Sequence, residues 1–291
     1  TYYFADDIEW EGQEGKHAAI TINASDVVLD MNRHCLSAPR NVSLSGTIGI
    51  SANAVDNLSL RNGTIKGFQL TGVALLASTR ATLSDIVIRD IGNGIPGYTP
   101  TGLSATLCQD LTLDNVSVRK VNGSWNKSKN SGQIVSGISF ISCADVTIGG
   151  RISGISGYSS VLSGVFGIFC DGITSKNLEI DDVNGSGVNV SGASFGVSKN
   201  INFDQCVVSN LHNDAGVCSG IATDDCQHIT VLNTTITKLS TGLMSNENAV
   251  GHTCIGMVFA PIRVVEGGVS KINVVNPGEF YSQFLFFLPS V

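Results

Sequence analysis

The sequence is poor in charged and in aromatic side chains. Of its 291 residues, 14% are charged and 7% are aromatic, and the formal net charge is −7. The acidic balance makes nucleic acid and anionic membranes poor partners, so we expect neither. No apolar run reaches the roughly 20 residues that cross a bilayer, so we expect no membrane span. So few aromatic residues are also unusual for a protein that stacks sugars along a groove.

The eight cysteines show no spacing typical of a metal centre. There is no CxxC pair and no Cys/His pattern suited to zinc, so we expect no metal and no cofactor. Cys108, Cys143 and Cys226 recur at one position of a repeat, where we interpret them as free thiols filling small core sites. Cys218 and Cys254 fall in insertions between repeats and are the candidates for a disulfide.

The start of the chain carries no recognisable targeting segment. It begins at Thr1 and has no basic segment followed by an apolar one. We therefore expect a processed form with an extracellular or cell-surface location.

A six-residue phrase is repeated along the chain. It reads small or Cys, any residue, polar, apolar, any residue, apolar, and its last residues are 23 to 43 positions apart. A recurring period of this size is typical of a solenoid. The nine phrases are Ala24–Leu29, Val55–Leu60, Ser78–Leu83, Cys108–Leu113, Cys143–Ile148, Ser175–Ile180, Ser198–Phe203, Cys226–Val231 and Val269–Val274.

Each repeat predicts three strands. The phrase alternates apolar and other residues, which indicates a strand. A polar residue suited to a bend follows, then a second short strand, then an apolar stretch led by glycine. This is the plan of a right-handed parallel β-helix, and we expect nine to eleven coils. A leucine-rich repeat is the rival solenoid, but its Leu-rich consensus and its helical segment are missing.

The repeats resemble those of the pectate-lyase-like superfamily of right-handed β-helices over about residues 20 to 276. The resemblance implies an all-β fold and leaves the activity open, because one fold carries many functions. We expect a single domain over residues 1–291. Residues 1–18 would be a lead-in, residues 19–276 the coils, and residues 277–291 an aromatic tail.

Five insertions are expected along one edge of the rod, each after the second strand and before the glycine-led strand. They are Gly92–Thr101, Asn122–Ser136, Gly157–Ser163, Leu211–Ser219 and Thr241–Thr253. In carbohydrate-active β-helices such insertions wall the substrate groove, where clustered acids or a basic residue act.

Candidates for catalysis lie in or near these insertions. They are His212, Asp214, Asp224, Asp225 and His252. Paired aspartates with a histidine resemble the polygalacturonase pattern, although that family's motifs are missing here. The ordinary interpretation of Asp224 and Asp225 is a solvated turn.

The clearest local group of cations is Arg119, Lys120, Lys127 and Lys129. Its ordinary interpretation is a solvated loop. A contact to a sugar acid is the functional interpretation, and it predicts glycans as a partner.

The two ends of the chain favour assembly. Neither end has an amphipathic helix that would cover the open strand edges of a β-helix, and such edges pair with other chains. The aromatic residues expected to take part are Tyr2, Tyr3, Phe4, Phe280, Tyr281, Phe284, Phe286 and Phe287.

We therefore predict a structural or adhesive protein that assembles end to end with copies of itself. Alternatives are a tail that caps its own rod, and a polysaccharide lyase, hydrolase or epimerase. A spike module that forms trimers is a third hypothesis.

Overall fold

The computed structural model describes residues 1–12, 17–39, 46–92, 99–124, 134–214, 216–241 and 253–260. Its strands in chain order are β1 (Tyr2–Tyr3), β2 (Ile8–Glu9), β3 (Ala18–Ile22), β4 (Val28–Asp30), β5 (Cys35–Ser37), β6 (Ile48–Asn53), β7 (Ser59–Lys66), β8 (Thr71–Leu76), β9 (Thr82–Ile91), β10 (Thr101–Thr106), β11 (Gln109–Asn122), β12 (Ile134–Ile141), β13 (Ala144–Ile168), β14 (Asp171–Gly196), β15 (Lys199–Asp204), β16 (Val207–Asn213), β17 (Val217–Asp224), β18 (Gln227–Leu232), β19 (Thr235–Thr241) and β20 (Thr253–Ala260).

These strands form a parallel β-helix of about eight turns, which confirms the predicted fold. Every pairing between strands is parallel. Each turn adds one strand segment, here called a rung, to each of three faces, and successive rungs lie ~4.8 Å apart. The nine rungs of each face are separated by eight steps, which gives about eight turns, just below the predicted nine to eleven, and the ninth phrase lies outside the described residues.

The three faces follow one another along each turn. Face A holds β1, β4, the first parts of β7, β9, β11, β13 and β14, then β15 and β18. Face B holds β2, β5, the later parts of β7, β9 and β11, the middles of β13 and β14, then β16 and β19. Face C holds β3, β6, β8, β10, β12, the ends of β13 and β14, then β17 and β20.

One predicted phrase was assigned to the wrong face. The register aligns Ser175 with Ile148 on face A. The segment equivalent to the other phrases is therefore Cys170–Ser175, and Ser175–Ile180 continues onto face B. The error arose because the face-B strand also alternates apolar and polar residues, so the phrase matches both.

A column of glycines on face C makes room for a column of β-branched side chains on face B. A Cβ added at Gly164 would lie 2.5 Å from Cγ2 of Ile180 and 2.7 Å from the carbonyl oxygen of Gly192. Neither distance is tolerable for carbon, so the position requires glycine. The column is Gly49, Gly72, Gly102, Gly137, Gly164, Gly192 and Gly220, opposite Ile65, Ile88, Val118, Ile152, Ile180, Val208 and Ile236.

Asparagine and aspartate connect successive rungs at the bends. Nδ2 of Asn115 donates to Oδ1 of Asp85 at 2.7 Å, and Asn115 has a left-handed φ of 51°. Asparagine tolerates this backbone conformation and still carries an amide to donate. The same contact joins Asn57 to Asp26, Asn62 to Asp30, Asn200 to Asp171, Asn210 to Asp181 and Asn233 to Asp204.

The predicted edge of insertions lies between faces B and C. The chain passes from face B to face C across each of residues 13–16, 40–45, 93–98, 125–133, 215 and 242–252, which lie outside the described residues. The insertion predicted at Gly157–Ser163 was wrong. This segment belongs to β13 and pairs in register with residues 185–191, so the strand continues through the edge.

The predicted lead-in, residues 1–18, contributes β1 and β2, and β3 completes the same turn. β1, β2 and β3 pair with β4, β5 and β6 on faces A, B and C. The side chain of Phe4 is buried in the core, and Trp10 stacks on Phe68 with ring centroids 6.1 Å apart. Phe4 and Trp10 therefore add apolar side chains to the interior of this turn.

The cysteine column has a structural explanation. Cys108, Cys143 and Cys170 are buried free thiols, and each Sγ lies 3.4 or 3.5 Å from the carbonyl oxygen two residues earlier. Ser78 and Ser198 make the same contact from equivalent rungs. The position therefore selects a small side chain with a hydrogen-bond donor.

Candidate functional site

A column of cations stands on face B. The register stacks Lys66 on Arg89 and Arg89 on Arg119, on three successive rungs. Oδ2 of Asp90 accepts a hydrogen bond from Arg89 at 2.7 Å, and Nε of Arg119 donates to Oγ of Ser117 at 2.8 Å. Among the described residues, Arg119 pairs with no carboxylate, and its side chain is exposed.

Acidic residues follow the cations on the same face. Arg151 lies one rung beyond the cation column, and its guanidinium is 3.4 Å from both Glu179 and Asp181. Burial acts to raise the pKa of Asp181. Hydrogen bonds from Asn210 and Ser209, with the charge of Arg151, outweigh that effect and hold this pKa below its ordinary value.

A Ser–His–Asp chain of hydrogen bonds lies further along the rod. Nε2 of His212 is 2.8 Å from Oδ1 of Asp214, and Nδ1 is 2.8 Å from Oγ of Ser240. An ionised carboxylate only accepts hydrogen bonds, so the contact to Asp214 places the proton of a neutral ring on Nε2. Nδ1 is then an acceptor aimed at the serine hydroxyl, which also lies 3.3 Å from the carbonyl oxygen of Leu211.

This arrangement can move a proton. A histidine held in one tautomer by a carboxylate is the base of many hydrolytic and lyase sites. His212 is partly exposed, and its ring nitrogens meet Asp214 and Ser240 at the edge between faces B and C, so a bound hydroxyl could replace the serine. Three rung steps, or ~14 Å, separate the rung of Arg119 from that of His212.

The structure does not bring all the predicted acidic candidates together. Asp224 ends β17 on face C, and Asp225 follows at the bend toward face A with a left-handed φ of 51°. His212 and Asp214 precede β17 at the opposite edge of that face. The eight residues of β17 separate the two groups, as a strand crossing the whole face must.

Several predicted residues lie outside the described part of the chain. They are His252, Lys127, Lys129, Phe280, Tyr281, Phe284, Phe286 and Phe287.

The N-terminal aromatic residues are described. Tyr2 and Tyr3 are 65% and 66% exposed, whereas Phe4 is buried in its own chain. Only the two tyrosines are available to a partner, and end-to-end assembly stays a prediction.

The disulfide candidates occupy adjacent rungs of face C. The backbone register pairs Cys218 in β17 with Cys254 in β20. Both therefore lie in strands rather than in insertions. Neighbouring rungs bring the two backbones close, and the disulfide stays a prediction.

The described residues also bear on membrane and metal binding. None of them forms a helix with the length and apolarity needed to cross a bilayer. Within the same ranges, no three His, Cys, Asp or Glu side chains are arranged to hold a metal ion.

Sequence reasoning missed Lys66, Arg89, Arg151 and Ser240. Each of Lys66, Arg89 and Arg119 is followed directly by a residue with a left-handed φ, at Gly67, Asp90 and Lys120. Alignment of the second strands, rather than of the phrases, would have placed the three in one column.

No protein-family model matches this sequence, and no curated protein matches it. Solved structures are similar in fold. The enzymatically active domain of tailspike protein 2 from bacteriophage CBA120 is 13% identical, with a TM-score of 0.48, over 82% of this chain and 36% of that one. The full-length tailspike is also covered over 36% of its length, so this chain spans just over a third of either structure.

Two further similar structures are bacterial. The A-module of the mannuronan C-5 epimerase AlgE4 from Azotobacter vinelandii is 12% identical, with a TM-score of 0.39, over 91% of this chain and 80% of that one. PfbA, a surface adhesin of Streptococcus pneumoniae, is 15% identical, with a TM-score of 0.35, over 84% and 74%. At these identities the likeness concerns the fold alone.

Proposed function

We propose that this chain binds an anionic polysaccharide along face B and acts on it near His212. The observation that carries the proposal is the column of Lys66, Arg89 and Arg119 on successive rungs. This is the alternative function considered from the sequence, and an extracellular or cell-surface location suits such a polymer.

The cation column favours a polymer of acids. The backbones that carry the cations are ~4.8 Å apart, and two unit charges at that separation repel by roughly 1 kcal/mol even in water. Asp90 offsets the charge of Arg89, but Arg119 has no carboxylate partner among the described residues. A ligand with regularly spaced carboxylates would relieve the repulsion, and the arginine fork is suited to binding carboxylates in pairs of hydrogen bonds.

The charges of face B also set a direction. Lys66, Arg89 and Arg119 occupy three successive rungs, whereas Glu179, Asp181 and Asp214 occupy later rungs, where Arg151 is already paired with the first two. These acids would repel a polyanion held by the cations, unless the polymer ends before the later rungs or loses its charge where it reaches them. The chain of His212, Asp214 and Ser240 stands among those acids and supplies a base.

The binding test compares two cations on different faces. Wild type should bind oligomers of galacturonic acid and not dextran, and its affinity should fall as salt rises. Arg119→Ser should weaken binding about tenfold, which is the loss of one charge-assisted contact. Lys176→Ser is the matched control, because Lys176 is an exposed cation on face A. Equal loss in both variants, or none in Arg119→Ser, contradicts the proposal.

The catalytic part has its own measurement. We expect His212→Gln to lower turnover of the bound polymer at least a hundredfold, because general acid–base catalysis contributes that much or more. Binding of the polymer should not change, since His212 lies three rungs from the cation column. Undetectable turnover in wild type, with binding intact, leaves the protein as a glycan-binding module and removes the enzymatic part.

A further inference from the structure

Face C differs from the other two faces in having almost no charge. Nine strand segments build it, and the only charged side chain among them is Asp224, at the end of β17. Ser139 and Phe166, at its centre, are buried within the chain. Ser104 and Ser194, in the same outward column, are partly exposed, so the centre of this face is open to solvent only at some rungs.

An apolar ridge runs along the edge of face C with face A. Leu76, Leu107, Ile141, Phe169 and Val197 come from five successive turns and are 44%, 59%, 38%, 57% and 48% exposed. Leu76 and Ile141 are the last residues of their strands, and the other three follow directly after theirs. The register places all five in two adjacent columns. The ridge ends in polar residues, at Asn53 on one side and Asp225 on the other.

The backbone of the ridge is unusual. Leu107, Phe169 and Val197 have left-handed φ angles of 56°, 57° and 47°. This conformation is unfavourable for bulky side chains and most of all for a β-branched one. Asparagine and aspartate fill many of the left-handed positions elsewhere on the rod. An isolated chain thus carries both exposed apolar surface and an unfavourable backbone at the same place.

We propose that the ridge is an interface with a second copy of this chain, with the two rods lying side by side. Each copy carries a net charge of −7, so two copies repel wherever their charged faces meet. The ridge and the adjoining face C are where they can approach without opposing like charges. Depletion of charged residues together with exposed aromatic residues such as Phe169 is also typical of the centre of an interface.

The repeat itself favours a copy over an unrelated partner. The apolar side chains of the ridge recur at the rung spacing, and an identical ridge has the same period. Side chains of one rod can therefore fit between those of the other at several positions at once. A contact of the same surface on both copies closes on itself and gives a discrete pair rather than a filament.

The test replaces the three left-handed apolar residues by asparagine. Leu107→Asn, Phe169→Asn and Val197→Asn combined should preserve the fold, because asparagine is the natural residue of such bends. Sedimentation equilibrium should give a mass of two chains for wild type at high concentration. At the same concentration the triple variant should give the mass of one chain, because its dissociation constant should be at least ten times higher than that of wild type. Its circular dichroism spectrum should be unchanged.

The control removes exposed valines elsewhere. Val188 and Val207 are 71% and 41% exposed and lie off the ridge. The pair Val188→Asn and Val207→Asn should leave the mass of two chains unchanged. A wild type that stays one chain at every concentration, or a control that dissociates as the triple variant does, overturns the interface.

The same samples test two alternatives to the lateral contact, which are association at the ends of the rod and glycan binding at the ridge. End-to-end filaments that persist in the triple variant, by negative-stain microscopy, would place self-association at the ends of the rod and overturn the lateral contact. Loss of galacturonate binding in the triple variant without a change of mass would make the ridge a glycan site. The proposal requires that the triple variant keeps its galacturonate binding and has half the mass of wild type.

Discussion

Faces B and C are made by the same turns of one chain, yet they differ in nearly every outward residue. Face B carries Lys66, Arg89, Arg119, Arg151 and Asp181, whereas the strands of face C contain one charged residue. Their inward residues are matched, because the glycine column of face C receives the β-branched column of face B. The repeat therefore fixes the core and leaves the outward columns free to differ. Function is to be sought in those columns.

The largest change in stability should come from a substitution in the interior that faces B and C share. Gly164→Ala should destabilise the fold by about 1–3 kcal/mol, the usual cost of overpacking. The added methyl would meet Cγ2 of Ile180 and the carbonyl of Gly192, and a backbone atom cannot move aside cheaply. Denaturant unfolding measures the change.

Gly196→Ala is the matched control for that substitution. Gly196 lies on the same face, but a Cβ there would come no nearer than 3.8 Å to its neighbours. Its unfolding midpoint should stay close to that of wild type. Similar losses in both variants would mean that glycine is favoured on face C for its backbone rather than for the space it leaves.

The features set by the core were predictable from the sequence, and those set by register were not. The apolar phrase and the glycine-led strand predicted the β-helix and its edge of insertions, because both report burial. Lys66, Arg89 and Arg119 are 23 and 30 residues apart, so no fixed spacing marks them as a column.

The candidate site was predictable only where its residues are close in sequence and on the same side of a strand. His212 and Asp214 are two residues apart and meet. Asp224 and Asp225 also follow closely in sequence, but the eight residues of β17 carry them across face C. Leu107 and Val197 do not resemble bend residues, because bends usually select Asn, Asp or Gly.

A smaller difference between the faces should appear in how pH changes the cost of a substitution in unfolding free energy. The pKa of Asp181 on face B lies below its ordinary value of 3.8. A carboxyl with a lowered folded pKa contributes stability above its unfolded pKa and loses it as the pH falls through the folded value. Asp181→Asn should therefore cost about 1 kcal/mol at neutral pH, from weakened hydrogen bonds, and progressively less below pH 3.8.

Gly164→Ala supplies the contrast for this pH dependence. Its destabilisation is steric, so the difference in unfolding free energy from wild type should be the same at neutral and at acid pH. A cost of Asp181→Asn that does not shrink on acidification would show that the carboxylate gains nothing from Asn210, Ser209 and Arg151.

The smallest change in stability should come from moving a cation between the faces, and it separates the two proposals. Ser153 on face B follows Arg119 in the cation column, and Ser104 on face C lies three residues before Leu107 of the ridge. Lysine at either partly exposed position should alter the unfolding free energy by no more than about 0.5 kcal/mol. Ser153→Lys should tighten galacturonate binding, because it adds a fourth cation to the column, and leave the mass of two chains unchanged. Ser104→Lys should leave galacturonate binding unchanged and lower the mass toward that of one chain, since it places like charges opposite each other across the ridge contact. If the two lysines have the same effect on both measurements, the faces are not specialised and net charge alone governs binding and association.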